Sequence, residues 1–278
     1  MSSSTPELPA NVHVSQHPCL RAKLSQLRSQ STPAKEVKTL VHDIALMVAY
    51  EALGASTKAT DGSKVIIPSF KAVSYYNQAP GLTPFAQDST PLGFDFTSTT
   101  ISPSSLCLVP ILRSGLGMVE GNYSSNTRYL LFSLKSRTNV PTTAVQTILP
   151  TPVAVHHLGL YREPSTLEPV EYYNNLPNHV SPDGSNAGAC ELAIVLDPVI
   201  ATGGTCAAAI QTLREWGVKR IVVLSVIGAA EGVKRAAGEW AGATDIYIAG
   251  VDAELTDKGM LKPGVGDVGD RLFLTIGK

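Results

Sequence analysis

The chain has no surplus of either charge: 22 Lys and Arg stand against 23 Asp and Glu, for a formal net charge of -1. Without a basic excess there is little to neutralise nucleic-acid phosphates or to hold the chain on an anionic membrane. Neither kind of partner is expected. Cysteine is scarce. Cys19, Cys107, Cys190 and Cys206 are widely spaced and make no CxxC pair, which argues against a zinc site or a disulfide framework. Reduced thiols in a cytosolic protein are the expectation. Long apolar runs are missing too: none approaches the roughly 18 residues of a membrane span. The N-terminal MSSSTPELPANVHVSQHP has no basic start and no apolar core, so no secretory leader is expected and the location reads as cytoplasmic. There is no G-x-S-x-G, no H-E-x-x-H and no Walker lysine after a glycine-rich turn, which removes the serine hydrolase, zincin and P-loop readings.

What remains is an ordinary globular composition, 278 residues and 44% hydrophobic, long enough for a large core. Residues 1–15 are rich in Ser, Thr and Pro and read as a mobile tail; 16–278 read as one domain. Thr32 and Pro33 mark a helix start. Val37, Leu40, Val41, Ile44 and Val48 follow at helical spacing, and Gly54 closes the run. Two stretches carry weak signals, near 55–105 and 122–152; the first is expected as a hairpin or long surface excursion, and only KVIIP in it looks like a strand. LCLVPIL, VAVHHLGLY and LAIVL are continuous apolar runs, each expected as one buried strand. Further strands are expected at Ile221–Val226 and Ile246–Ala249. Helices are expected after the first of these runs (RSGLGMVEG), at Thr205–Trp216 and at Glu231–Trp240. Strands alternating with helices give an α/β fold: a mainly parallel twisted sheet with helices on both faces.

The most informative stretch is LDPVIATGGT, Leu196 to Thr205, between an apolar strand and a helix. Backbone N–H groups at a helix start have no internal partners, and the helix dipole adds positive potential. Gly203 and Gly204 allow an anion close to the backbone. Thr202 and Thr205 add hydroxyl donors. Asp197 does not belong in a phosphate cradle; its carboxylate only accepts hydrogen bonds and suits ribose hydroxyls. The plainer alternative is Asp197 as a cap and the glycines as a simple turn.

An apolar strand, an acid, ATGGT and a helix resemble the phosphoribosyl-pyrophosphate loop of type I phosphoribosyltransferases. Three further segments narrow the likeness to the uracil phosphoribosyltransferases: LVPILRSGLGMVEG, the flap-like HLGLYREPSTLEPVEYYNNLP and GMLKPGVGDVGDRLF. HPCLRAKLSQLRS is similar to that family's first helix, and beside its compact members the stretches near 55–105 and 122–152 look like insertions. The resemblance implies transfer of a phosphoribosyl group from 5-phosphoribosyl-1-pyrophosphate to uracil in pyrimidine salvage, with a small hood over the sheet. It implies substrate contacts at Asp197, Pro198, Val199, Ile200, Ala201, Thr202, Gly203, Gly204 and Thr205, and at Leu261, Gly266, Asp267 and Val268. Arg113 and Arg162 match the pyrophosphate-binding arginines, and a guanidinium fork suits that leaving group. With Asp197 and Asp267 they form the expected catalytic set. A surface ion pair is the plainer role for either arginine, and an Asx turn for Asp267.

Magnesium is implied with the diphosphate, without a dedicated protein site unless Asp267 contributes. Leu196 stands where many relatives have a second acid, Met260 where many have Tyr, and Glu120 where many have Asp. Some members respond to GTP, and that effector is left open; a homodimer or larger homo-oligomer is implied. Another base, or a regulatory relative that binds nucleotide with little catalysis, are the alternatives. Gly264, Gly266 and Gly269 satisfy G-x-G-x-x-G, yet only nine residues follow, too few for a dinucleotide βαβ unit. His156 and His157 read as strand residues, one facing the core. Cys206 reads as packing, and Tyr172 and Tyr173 as flap residues able to stack on a base.

Overall fold

A computed structural model of the protein describes residues 7–61, 87–112, 114–118, 144–163, 168–177 and 189–275. In chain order the strands and helices are β1 Val12–Val14, α1 Pro18–Arg28, α2 Ala34–Ser56, β2 Lys58–Asp61, β3 Gln87–Ser89, β4 Asp95–Thr97, β5 Thr99–Ser102, β6 Leu106–Leu112, β7 Ala154–Val155, β8 Leu158–Arg162, β9 Pro169–Asn174, β10 Leu192–Leu196, β11 Val199–Ile200, α3 Gly204–Trp216, β12 Arg220–Ala229, α4 Ala230–Glu239, β13 Thr244–Asp252, β14 Glu254–Leu255, β15 Leu261–Lys262 and α5 Val268–Phe273. The main sheet runs β1-β13-β12-β10-β6-β8-β9, with β11 on β12 and β7 on β6. Every pair is parallel except β8 with β9. The expected α/β class is the observed one. Among the described residues, no helix is long and apolar enough to cross a membrane.

The continuous apolar runs explain the centre. In β10 every residue is buried, and in β6 all but the last, because helices cover both faces of a parallel sheet. Ile194, Val195, Val223 and Ile246 are at most 1% exposed. The segment expected as one strand over Val153–Tyr161 is two. β7 pairs Val155 with Leu108, and β8 resumes at Leu158 opposite Ile111. The break lies beside Pro110, which has no N–H to offer a neighbouring strand. His156 and His157 occupy it, and neither is buried. His156 meets the ring of Trp216 edge-on, centroids 5.5 Å apart.

The tail expected over 1–15 is corrected from Pro9 onwards. Val12 and Val14 align with Ile246 and Ile248 of β13, and the Asn11 amide donates to the carbonyls of Ala237 and Thr244 at 3.1 and 2.8 Å. A three-residue strand is too short to announce itself; the open edge of β13 supplies its partners. Within the stretch expected as one domain over 16–278, a second compact unit stands out. The chain divides into one unit of Met1–Gly54 with Ser105–Lys278 and a second of Ala55–Ser104. The second coincides with the stretch expected as an insertion near 55–105, and holds the antiparallel pairs β2–β5 and β3–β4. KVIIP lies outside the described residues, as does most of the stretch near 122–152. Of the helix expected in RSGLGMVEG, a single 3₁₀ turn at Ser114–Met118 is described.

α3 starts one residue before the expected Thr205 and ends where Gly217, at φ +97°, donates to the carbonyls of Leu213 and Arg214.

Candidate active site

A cleft of about 510 Å³ opens beyond the carboxyl ends of β6, β8 and β10, where ligands bind in open α/β sheets. Its walls come from three places. β6 and the β8–β9 hairpin give Ile111, Leu112, Leu160, Tyr161 and Tyr172; the loop after β10 gives Asp197 to Cys206; the C-terminal segment gives Met260 to Gly269.

The loop after β10 is held by its backbone. Asp197 N–H donates to the Leu224 carbonyl at 3.1 Å, and the Pro198 carbonyl accepts from Val226 and Ile227 at 3.1 and 3.0 Å. Val199 and Ile200 then pair with β12 as β11, an element not foreseen from sequence. The chain turns at Gly203, φ +77°, and the Gly203 carbonyl accepts the first helical bond of α3, from Ala207 at 2.9 Å. The N–H groups ahead of Ala207 have no partner within the helix, which makes the turn an anion cradle. α4 presses on the turn from behind. A Cβ on Gly203 would collide with the Gly232 carbonyl, and one on Gly232 with the Ala201 carbonyl. Gly232 was missed in the sequence; a glycine early in a helix, where it costs stability, was the available signal.

Asp197 is 4% exposed. Burial pushes its carboxyl up to about 7, partly offset by a hydrogen bond from the Val199 backbone. Burial, and then the neighbouring Asp197 charge, raise the Cys206 thiol, so Cys206 is a packing residue rather than a nucleophile. On the opposite wall Asp267 caps α5, one oxygen accepting from Asp270 N–H at 2.9 Å. The turn role and the place in the cleft therefore coexist. Gly264 and Gly266, at φ +67° and +72°, shape the strand-to-helix connection.

Of the residues named from sequence, the cleft gathers Asp197, Val199, Ile200, Ala201, Thr202, Gly203, Thr205, Leu261, Gly266, Asp267 and Val268. Pro198 and Gly204 stand behind it as backbone supports. Arg113 lies outside the described residues. Arg162 ends β8 in register with Pro169 of β9. The β8–β9 hairpin is seated on this turn: a Cβ on Gly204 would lie 3.5 Å from Pro169 Cδ and 3.3 Å from Arg235 Nη1. Arg235 in turn pairs with Glu168 at 3.5 Å. At its other end the flap is tied to α3, the Trp216 indole donating to the Pro177 carbonyl at 3.0 Å. Tyr172 and Gly269 reach the cleft; Leu160 and Val265 do so without having been singled out.

Among the described residues no three His, Cys, Asp or Glu side chains gather to hold a metal ion. Asp267 and Asp197 are the carboxylates among the described residues that line the cleft. An ion that binds mainly through phosphate and water needs few such protein oxygens.

The model of the family described as Uracil phosphoribosyltransferase matches residues 14–78 and 139–275. A uracil phosphoribosyltransferase of Finegoldia magna is 36% identical over 266 residues, covering 96% of this chain and 99% of its own length. One from Roseiflexus castenholzii is 36% identical over 267 residues, covering 95% and 98%. Among solved structures, the AQ2163 protein of Aquifex aeolicus superposes with a TM-score of 0.68 at 24% identity, covering 95% of this chain and 98% of its own; that likeness bears on the fold.

Proposed function

The chain belongs to the uracil phosphoribosyltransferase family, and from that premise we propose that its cleft converts uracil and 5-phosphoribosyl-1-pyrophosphate to uridine monophosphate and pyrophosphate. The observation that carries the reading is the meeting of two unlike halves in one cleft. One is an anion cradle with a buried carboxyl, at Asp197–Thr205; the other is a glycine-rich backbone wall, at Leu261–Gly269.

In this reading the N–H groups and hydroxyls of Ala201–Thr205 hold the 5′-phosphate. Asp197 accepts from the ribose 2′- and 3′-hydroxyls. The main chain at Leu261 and Gly266 holds the edge of uracil, so N1 faces the anomeric carbon. The bond from that carbon to the diphosphate oxygen breaks with its electron pair going to the pyrophosphate, the bond to N1 forms, and the N1 proton passes to a pyrophosphate oxygen or to solvent. Charge gathers on the departing pyrophosphate as the carbon becomes cationic, and there Arg113 and Arg162 act by the family pattern, chiefly in the transition state. Magnesium bound to the diphosphate would neutralise part of that charge, and Asp267, a lining residue of the cleft, is the residue we assign to contact it. Asp267 serves as ligand in this assignment.

The test is an assay with labelled uracil, the ribosyl pyrophosphate and magnesium, scored for both nucleotide and pyrophosphate. Release of pyrophosphate without nucleotide, or no product, overturns the reading. A homodimer or larger assembly, and a response to GTP, are proposals from the family pattern alone. Light scattering and the same assay with GTP decide them.

A further inference from the structure

The base wall turns through glycines at positive φ, yet a wall that reads a base with backbone dipoles has to be fixed. Gly264 shows how. Its N–H donates to Asp252 Oδ2 at 2.8 Å, and its carbonyl accepts from Arg28 Nη1 at 2.9 Å. Arg28 and Asp252 are themselves joined as a fork, Nη1 to Oδ2 at 3.0 Å and Nη2 to Oδ1 at 2.5 Å. One ion pair thus grips the N–H and the carbonyl of a single glycine. Asp252 is the last residue of β13, its side chain 4% exposed; Arg28 is the last residue of α1, 27% exposed. The next carbonyl, of Val265, accepts from Arg271 at 2.6 Å. Arg271 also binds the carbonyls of Leu27 and Ser29, at 2.7 and 3.0 Å. After Val265 come Gly266 and Asp267, which face the cleft.

We propose that Arg28 and Asp252 are positioning residues for the base: their fork sets the direction of the Gly264–Gly266 peptides and so the discrimination between uracil and cytosine. The proposal rests on the uracil reading above. Neither residue lines the cleft, so the pair acts through the wall. A guanidinium fork fixes direction as well as charge, which an ammonium does not. Arg28→Lys keeps the charge and loses the fork. Arg28→Gln with Asp252→Asn removes both charges, so neither is stranded in a buried place, where a lone charge is strongly destabilising.

The experiment compares the full-length protein with both variants, each held well below its melting temperature. Arg28→Lys should raise the KM for uracil about tenfold and leave that for the ribosyl pyrophosphate within about twofold, the loss of one charged hydrogen bond setting the scale. The ratio of kcat/KM for uracil over cytosine should fall by a similar factor. The double variant should show the same split. Equal changes in both KM values with the ratio unchanged would make the pair a plain scaffold and overturn the proposal. Hydrogen exchange at the Gly264 amide provides a readout without substrate. It should quicken at least tenfold in Arg28→Lys while β10 amides stay protected; unchanged exchange at Gly264 also overturns the proposal. If the parent protein turns over no uracil, the functional reading fails, and this exchange result alone decides whether the fork holds the wall.

Discussion

The Gly232 carbonyl of α4 occupies the space where a Cβ on Gly203 would lie. The phosphate turn is therefore shaped by an absence of side chains on both partners, and Gly203 is held at a φ, +77°, that few other residues adopt. A Gly203→Val substitution changes two things at once. It blocks the approach of phosphate, and it forces α4 off the loop. Turnover should vanish and the melting temperature should drop, since left-handed strain alone is worth about 1–3 kcal/mol. Gly204→Ala is the cleaner probe, because its Cβ would face the end of the flexible Arg235 side chain at 3.3 Å. It should fold normally and weaken the ribosyl pyrophosphate. Thermal melts beside steady-state kinetics separate the two; an unaltered KM for the ribosyl pyrophosphate in Gly204→Ala would remove the helix start from the site.

Asp197 gives a pH dependence of definite sign. Its carboxyl moves from 3.8 to about 7 on folding, chiefly through burial, so the folded protein holds that proton more tightly than the unfolded chain. The resulting stabilisation of the ligand-free protein is complete below pH 3.8 and is lost as pH climbs through 7. Binding should run the other way if the ionised form accepts the two ribose hydroxyls as proposed: the KM for the ribosyl pyrophosphate should rise as pH falls below about 7. Asp197→Asn should flatten both profiles and weaken the ribosyl pyrophosphate ten- to a hundredfold, about 1.5–3 kcal/mol for a charged hydrogen bond. An effect confined to uracil would contradict the assignment.

Arg113→Ala and Arg162→Ala should each lower kcat more than they raise the KM for uracil, if both guanidinium groups serve the leaving group. Pre-steady-state bursts, with equilibrium binding of uracil alongside, measure the two effects separately. Weak uracil binding with normal turnover would end that role.

A wall of fixed peptides should reject cytosine strongly. Cytosine reverses the donor and acceptor pattern that uracil offers around ring position 3, leaving buried groups unpaired at about 1–3 kcal/mol each. Discrimination by about 10⁴-fold is within reach of such sites. 5-Fluorouracil keeps the edge and should be accepted. Leu261→Ala should loosen packing without admitting cytosine. Competition kinetics with the two bases test this, and comparable turnover would refute backbone reading.

The parts of the fold written in long apolar runs were legible. β6 and β10 fall on LCLVPIL and LAIVL without a shift, and α3 within a residue. The strand–turn–helix of the candidate cradle was legible because its signals are local, an acid and two glycines in one short stretch. What stayed hidden depends on residues distant in sequence. β1 exists because β13 has an open edge. Gly232 matters because α4 lies against Gly203. Asp252 grips Gly264 across twelve residues, and Arg28 across 236. The division of VAVHHLGLY traces to Pro110, far upstream, rather than to anything in the segment itself.

The seating of the flap has a consequence for what the cleft admits. Arg162 is paired in register with Pro169, and Pro169 rests against Gly204 where the phosphate turn becomes α3. If Arg162 serves the pyrophosphate and the turn the 5′-phosphate, as proposed, the two ends of the donor meet parts of the chain that lie against one another, and the span between them is a fixed length. The cleft would then gauge its donor as a ruler does. A sugar diphosphate one carbon longer or shorter has both of its charged ends intact and should still fail, because it can occupy either end of the scale and never both at once.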